Sequence, residues 1–493
     1  VIWAVSAAAL AAGVAAALRW LRVAQREHYL PVVTRFAFRW WFSSGLNIAL
    51  VTFAFLCDMA APIWGWAAMG VAAAQIGPIG LGLRGRTSKL AFTPRLIRLA
   101  VFVGLVFAAL LAFGIGIDSA APAASALLLF PVIVDLGLVV LAPVERSLGS
   151  KWVDLAQAKL ESVGPRVVAI TGSYGKTTTK AYTAHLASGS FRTVASPASF
   201  NNRLGLARAI NEGLAPGTEL FVAEMGTYGP GEIADMCSWV RPEVAAMVSI
   251  GPVHLERFGS EEAIVAAKSE ILDGARVGVI CVDDPLLAEL AAKRSRDMEI
   301  IEVSARDRGR VRVTEGKLIV DGEYVADVPP EAFSANLAVA VGICLALGMT
   351  NEDVARRLGD LPSTPHRQTV SVGEGGFSII DDTFNSNPAG ARRALDVLAM
   401  MGGTKAVVTP GMVELGRRQA EENEAFAAAA AEVADHIVVV GRTNRDALLR
   451  GAAKGRAAVT VVDTREQAVA WARSNLGPGD AILYENDLPD HYP

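Results

Sequence analysis

The feature that most constrains this chain is a set of uncharged apolar runs, each about as long as a bilayer is thick, packed into its first 150 residues. A helix rises 1.5 Å per residue, so ~17 to 25 apolar residues cross the hydrocarbon layer. Five runs meet that length: Val1 to Leu18, Trp40 to Cys57, Met59 to Leu83 with its Gly and Pro interruptions, Leu99 to Ile117, and Ser119 to Val144. The basic residues alternate with them. Arg19, Arg22, Arg26, Arg35 and Arg39 crowd the first loop and Arg84, Arg86, Lys89, Arg95 and Arg98 the third, whereas the alternate connections carry only Asp58 and Asp118. Lys and Arg stay on the cytoplasmic side, so an odd number of spans puts the N-terminus outside and everything after Arg146 in the cytoplasm. The first run has no basic lead-in and no small-residue cleavage site, and it reads as a retained helix. Asp135 interrupts the fifth run ~10 Å from its cytoplasmic end, where a charge is expensive unless paired or wetted. It is a candidate functional group, with snorkelling or protonation as the bland alternatives.

Charge divides the chain in two. Residues 1–150 hold 11 Lys+Arg against 5 Asp+Glu, and the rest hold 35 against 45. With 19% charged and 52% hydrophobic residues overall, neither a disordered polymer nor a nucleic-acid-coating protein fits, and no nucleic-acid partner is expected. A length of 493 residues suggests about three domains. The expected division is a transmembrane helical region over 1–150, a central domain over 151–363 and a C-terminal domain over 364–493. The four cysteines are scattered and the six histidines lack ligand spacing, so neither a disulfide framework nor a structural zinc is expected.

From Val163 onward the apolar runs shorten to strand length and alternate with helical segments, which predicts α/β domains with largely parallel sheets. Strands are expected at Val167 to Thr171, Leu220 to Ala223, Ala245 to Ile250 and Val277 to Val282, with helices at Lys176 to Leu186 and Glu261 to Leu272. Asp321-Gly322 between two alternating runs predicts a hairpin over Lys317 to Val328. Gly359 to Arg367, with Pro362 and Pro365, reads as a linker. Beyond it, strands at Ser378 to Ile380, Ala406 to Val408, Ile437 to Val440, Val459 to Val462 and Ala481 to Tyr484 predict a second, smaller α/β domain. The fold class is thus α/β: a five-helix transmembrane region, a central P-loop ATPase-type domain and a C-terminal Rossmann-like domain.

The sharpest local signal is Thr171-Gly172-Ser173-Tyr174-Gly175-Lys176-Thr177-Thr178, placed after a strand and before a helix. Glycines let backbone amides turn toward phosphate oxygens, and a helix N-terminus adds partial positive charge. Gly172, Ser173, Gly175 and Thr178 would line the phosphates, Lys176 would neutralise the terminal ones, and Thr177 would offer a hydroxyl to magnesium. The plain alternative is a Gly-rich turn. Glu224 ends the next strand, where a hard cation wants an oxygen, although alone it reads equally as a solvated strand end.

The chain from about Val167 onward resembles the Mur ligase family. The resemblance rests on the phosphate loop; Phe200-Asn201-Asn202 with Gly205; Glu224-Met225-Gly226; His254-Leu255-Glu256; Ala267-Lys268-Ser269-Glu270-Ile271; Arg367; Asp381 to Pro388; and Gly411 to Gly416, all in order. It implies ATP-driven formation of an amide: an acceptor carboxylate becomes an acyl phosphate, and an incoming amino acid or dipeptide amine displaces phosphate. It further implies magnesium on Thr177 and Glu224, and a second cation held by His254 and a carbamylated Lys268. Asn336 would contact adenine, and Arg367, Asp382 and Asn385 would close over the nucleotide. Without the resemblance, Lys268 reads as a helix-surface lysine and His254 as a structural imidazole.

Two departures bear on substrate. The helices lead almost directly into the nucleotide-binding core, leaving no room for the domain with which soluble members grip a UDP-sugar precursor. Near the end, Glu485-Asn486-Asp487 stands where the D-alanyl-D-alanine-adding branch has Lys-Gly-Ser. The expected acceptor is therefore a peptidoglycan-type or lipid-linked precursor delivered from the membrane, with a simple anchor as the alternative role of the helices. The competing enzyme is a poly-γ-glutamate-type synthetase. An ATP-driven transporter would carry Leu-Ser-Gly-Gly-Gln and an apolar strand ending in Asp-Glu, and neither occurs. The last alternative, a nucleotide-binding scaffold without catalysis, fits poorly with Lys176, Glu224, His254 and Lys268 all being present.

Overall fold

The apolar runs fold into helices wherever glycine and proline permit. A computed structural model describes the chain except for residues 84, 86–89, 199, 254, 331, 363–368, 374, 384–386 and 489–490. His254, Arg367 and Asn385 therefore lie outside the described residues, as do Arg84, Arg86 and Lys89 and most of the expected linker. The helical unit comprises α1 (Ile2–Arg26), α2 (Val33–Trp41), α3 (Gly45–Ala60), α4 (Ala68–Ala74), α5 (Pro94–Gly116), α6 (Ala121–Leu128) and α7 (Phe130–Val163). Among the described residues, only α1 and α5 are long and apolar enough to cross a membrane alone. The count reaches four if the pairs α2/α3, bent by 113°, and α6/α7, bent by 71°, are each one span.

The expected five-helix count is thus corrected at the third run. Past α4, Gln75 to Leu83 is irregular, because Gly77-Pro78, Gly80 and Gly82 cannot sustain a helix. The run still extends along α1. Gly65 lies beside Val1, while Leu81 and Gly82 lie beside Arg19 and Arg22. Buried irregular backbone needs internal partners. The buried Arg19 guanidinium supplies them, donating to the carbonyls of Leu81 (3.1 Å), Gln75 (3.2 Å) and Ile76 (3.2 Å), and to that of Gly77.

Asp135 is a cap. Its two carboxylate oxygens accept the backbone N–H groups of Val33 and Thr34, each at 2.9 Å, so α7 holds the N-terminus of α2. An anion at a helix start satisfies orphan donors and opposes the dipole. Asp135→Ala is expected to lower stability by about 1–2 kcal/mol, and Asp135→Asn by less, read as the melting temperature of the detergent-solubilised chain.

The helix α7 joins the helical unit to the first sheet without a break. Phe130, Ile133 and Val134 sit in the helical core, whereas Val153, Ala156 and Leu160 pack against the sheet. It passes through the boundary expected at residue 150, ends at Gly164 in the left-handed region, and leads into the first strand. The first sheet contains β1 (Arg166–Thr171), β2 (Thr193–Ala195), β3 (Leu220–Glu224), β4 (Val244–Met247), β5 (Val277–Cys281), β6 (Glu299–Ser304), β7 (Val311–Thr314), β8 (Lys317–Val320) and β9 (Glu323–Asp327). Its order is β2-β3-β1-β4-β5-β6-β7-β8-β9, parallel through β7. The last two strands form the expected hairpin, with both Asp321 and Gly322 at positive φ. Alternate residues of β1 enter opposite cores, Val168 and Ile170 on one face and Val167 and Ala169 on the other.

The second sheet contains β10 (Thr369–Val372), β11 (Ser378–Asp382), β12 (Lys405–Thr409), β13 (His436–Val440), β14 (Ala458–Val462) and β15 (Ala481–Glu485), in the order β10-β11-β15-β12-β13-β14. All pairs are parallel except β10 with β11. In each sheet one strand is flanked by two whose connection skips over it: β1 lies between β3 and β4, and β15 between β11 and β12. Open α/β sheets bind ligands at the carboxyl ends of strands at such points.

Candidate active site

Between β1 and the helix α8 (Lys176–Ala187), the phosphate loop occupies the switch point of the first sheet. Ser249, just past β4, braces it. The Ser173 N–H donates to the Ser249 carbonyl (2.8 Å) and the Tyr174 N–H to the Ser249 hydroxyl (2.9 Å). The Ser173 hydroxyl also bonds Gly251, so Ser173, expected as a phosphate contact, spends these groups on the loop's shape. The amides left for an anion are those opening α8, which have no intrahelical acceptors. Gly175 is required: its φ is +77°, and a Cβ there would come within 2.2 Å of Asn336 Nδ2.

Asn336 opens the helix Ser334–Ala346 and donates to the Gly175 carbonyl and to the Thr179 hydroxyl, each at 2.9 Å. Its amide nitrogen ties that helix to the loop. Thr177 stands half-buried and Thr178 buried in the first turn of α8.

Two lysines converge on one oxygen. Lys176 Nζ donates to the Gly172 carbonyl at 2.8 Å, and the buried Lys268 Nζ reaches the same atom at 3.1 Å. Burial and the Lys176 charge push the Lys268 ammonium well below the ordinary lysine range, favouring its neutral form. Across the strand boundary Glu224, at the end of β3, is buried. Asn201 Nδ2 donates to its Oε1 at 3.1 Å, and Asn202 caps the next helix through Gly205, which explains the Asn-Asn pair. Glu224 Oε2 accepts no well-aligned hydrogen bond but lies 3.1 Å from Lys180 Nζ. Lys180 was not anticipated, although it stands one helical turn beyond Lys176 on α8 and so falls on the same face.

The second sheet docks over this edge. The Leu255 N–H donates to the Glu414 carbonyl at 3.0 Å, Arg418 pairs with Glu261 at 2.9 Å, and the Arg393 guanidinium lies 5.6 Å from the Phe333 ring. Gly416, at φ +57°, packs on the Leu255–Glu256 backbone, so the Gly411 to Gly416 motif is a docking loop. Asp382 ends β11 in register with Glu485 on β15, and both are buried. Burial raises the Glu485 carboxyl to about 8, with Asp382 adding to the rise; the Thr409 hydroxyl, which donates to it, opposes this. The sequence departure at Glu485 therefore places a carboxyl that stays protonated at neutral pH at the second switch point.

These features define a class: a phosphate-loop α/β protein whose anion cradle, acidic strand end and paired lysines are faced by a second α/β domain. The Mur ligase middle domain profile matches residues 170–337, and that of the Mur ligase glutamate ligase domain matches residues 366–484. The chain belongs to the Mur ligase family, whose members are ATP-dependent amide ligases. It is 26% identical over 348 residues to the UDP-N-acetylmuramoyl-tripeptide–D-alanyl-D-alanine ligase of Bacillus subtilis, covering 67% of this chain and 75% of that one. It is 29% identical to the same-named ligase of Mycobacterium leprae, covering 68% and 73%. The MurF crystal structure from Acinetobacter baumannii superposes with a TM-score of 0.60 at 26% identity, over 69% of this chain and 77% of that one. MurF of Thermotoga maritima in complex with ADP gives 0.57 at 26% identity, over 69% and 80%.

Proposed function

We propose that the chain is a MurF-like, ATP-dependent ligase at the cytoplasmic face of a membrane. It joins an amino acid or dipeptide to a carboxylate of a peptidoglycan-type or lipid-linked precursor through an acyl phosphate. The observation that carries the reading is the convergence of Lys176 and Lys268 on the Gly172 carbonyl, with Glu224 ending the neighbouring strand at the switch point. The donor set fits a hard cation, since Thr177 offers a hydroxyl and the buried Glu224 Oε2, 3.1 Å from Lys180 Nζ, accepts no well-aligned hydrogen bond. Magnesium, when bound there, supplies charge neutralisation at phosphoryl oxygens. Lys176 and the α8 amides hold the triphosphate and screen its terminal charge, so that the acceptor carboxylate approaches phosphorus without full repulsion. The second domain, docked through Glu414 and Arg418, fixes the reactants' geometry and excludes water.

Membrane placement is supported by the exposed apolar surface of the helical unit, including Trp3, Leu105, Phe113 and Val139. The end of that unit carrying Glu27, Arg35 and Arg39 packs on the catalytic domains, and the clustering of basic residues there supports a cytoplasmic side for those domains. The test is phosphate release by the full chain in detergent or nanodiscs, given ATP, magnesium, a membrane extract and single amines. Stimulation by one amine is expected, with Lys176→Ala abolishing it while membrane insertion persists. Undiminished turnover in Lys176→Ala would overturn the phosphate-loop assignment.

A further inference from the structure

Where the helical unit meets both α/β domains, a cavity of about 240 Å³ is lined by all three. The helical unit contributes Glu27, Arg35 and Arg39, the middle domain Glu256 and Arg257, and the C-terminal domain Glu414. Glu256 stands two residues after His254, and Tyr228, also on the wall, four residues after Glu224. The cavity wall is thus close in sequence to two positions that the family resemblance assigns to cation binding.

Its charges are arranged across unit boundaries. Glu256 pairs with Arg39 at 2.8 Å and with Arg35; Glu27 pairs with Arg257 at 3.2 Å and with His491 at 2.8 Å. The Arg257 guanidinium stacks 4.7 Å from the Tyr228 ring, and its Nη1 is buried with no hydrogen-bond partner among the described residues. Leaving a guanidinium N–H unsatisfied is costly, and a ligand carboxylate repairs it. The volume lies below the ~300–1,000 Å³ of drug-sized sites, which suits an amino acid or short peptide. Three guanidiniums face three carboxylates, so a diphosphate head group would meet as much repulsion as attraction, whereas a zwitterion is matched at both ends.

From this we infer that the cavity is the amine-donor subsite, taking a zwitterionic amino acid or dipeptide. Arg257 receives its carboxylate, Glu256 and Glu414 receive its ammonium, and Arg35 and Arg39 of α2 hold Glu256 in place. The inference rests on the ligase reading and adds a role for the helical unit. Arg35 and Arg39 lie outside the segments that match the family and complete its substrate site, so that unit is more than an anchor. Asp135 enters the same chain of contacts, because it fixes the start of α2.

The test uses the full chain in detergent, with the twenty common amino acids and D-alanyl-D-alanine as probes, in turnover and in equilibrium dialysis. Arg257→Gln and Arg39→Gln should each raise KM for the stimulating amine roughly 10- to 100-fold, with KM for ATP unmoved. Arg39→Lys should fall between Arg39→Gln and the parent, since an ammonium keeps the charge but loses the planar fork. Arg465→Gln, at a surface pair with Asp487, controls for general destabilisation and should change neither constant. An amine-responsive parent whose Arg257→Gln and Arg39→Gln variants keep its amine KM overturns the subsite and leaves the ligase reading standing. A parent with no amine-dependent phosphate release overturns the ligase reading; dialysis then decides the cavity, which is refuted if no probe binds or if Arg257→Gln binds as the parent does.

Discussion

Lys268→Ala is expected to lower amine-dependent phosphate release by ~10²- to 10³-fold, the range seen when one preorganised electrostatic contact to a transition state is removed. The buried Lys268 and the half-buried Lys176 present two nitrogens to the single carbonyl oxygen of Gly172. Burial, and repulsion between two ammoniums there, push the Lys268 ammonium toward its neutral form. A neutral amine is the form that adds carbon dioxide: the N–C bond forms, one proton leaves, and a carbamate anion results. Repulsion from Lys176 then becomes attraction, and an oxygen donor faces the cation site. Two further results follow from that chemistry. Stripping dissolved carbon dioxide should depress activity and bicarbonate should restore it, while Lys268→Arg, whose guanidinium stays cationic, should remain inactive. In Lys268→Ala a short carboxylate such as acetate should recover part of the rate. Parent activity indifferent to bicarbonate, together with an active Lys268→Arg variant, would show that the lysine acts only as a cation.

The site was most legible where its chemistry is local. The phosphate loop combines strand, glycines, lysine and helix start within eight residues, and Asp321-Gly322 specifies its turn by backbone conformation alone. What depends on distant partners was not legible. Apolar length could not show that the third run leaves the helix after Ala74, because its carbonyls are satisfied by Arg19, more than fifty residues earlier. Asp135 read as a buried charge, yet its partners are amides about a hundred residues away. Hydropathy falls near residue 150 while the helical period continues to Val163, so α7 passes unmarked through the expected boundary. Lys180 was obscured for a further reason: a lysine serves equally as a ligand contact and as an internal tie, and spacing does not separate the two.

Glu485→Gln is expected to stabilise the chain at pH 8.5 and to make little difference at pH 5. In the folded state this carboxyl is held near 8, against an ordinary value of 4.5. Below pH 4.5 both folded and unfolded chains carry the proton, and no penalty exists. Between pH 4.5 and 8 the unfolded chain ionises while the folded one keeps its proton, so stability falls as pH rises and the loss is complete above 8. At about 1.4 kcal/mol for each tenfold, the ceiling is ~5 kcal/mol. Glutamine keeps the shape and an acceptor oxygen for the Thr409 hydroxyl but cannot ionise. Melting temperatures of parent and variant should therefore diverge as pH rises from 5 to 8.5, with the parent falling and the variant flat by comparison. Parallel curves would mean that Glu485 is ionised in the folded chain. The consequence reaches the site, because Glu485 is in register with Asp382 on the neighbouring strand. Ionisation of Glu485 above pH 8 would therefore add a charge beside Asp382, at the strand edge that faces the first sheet.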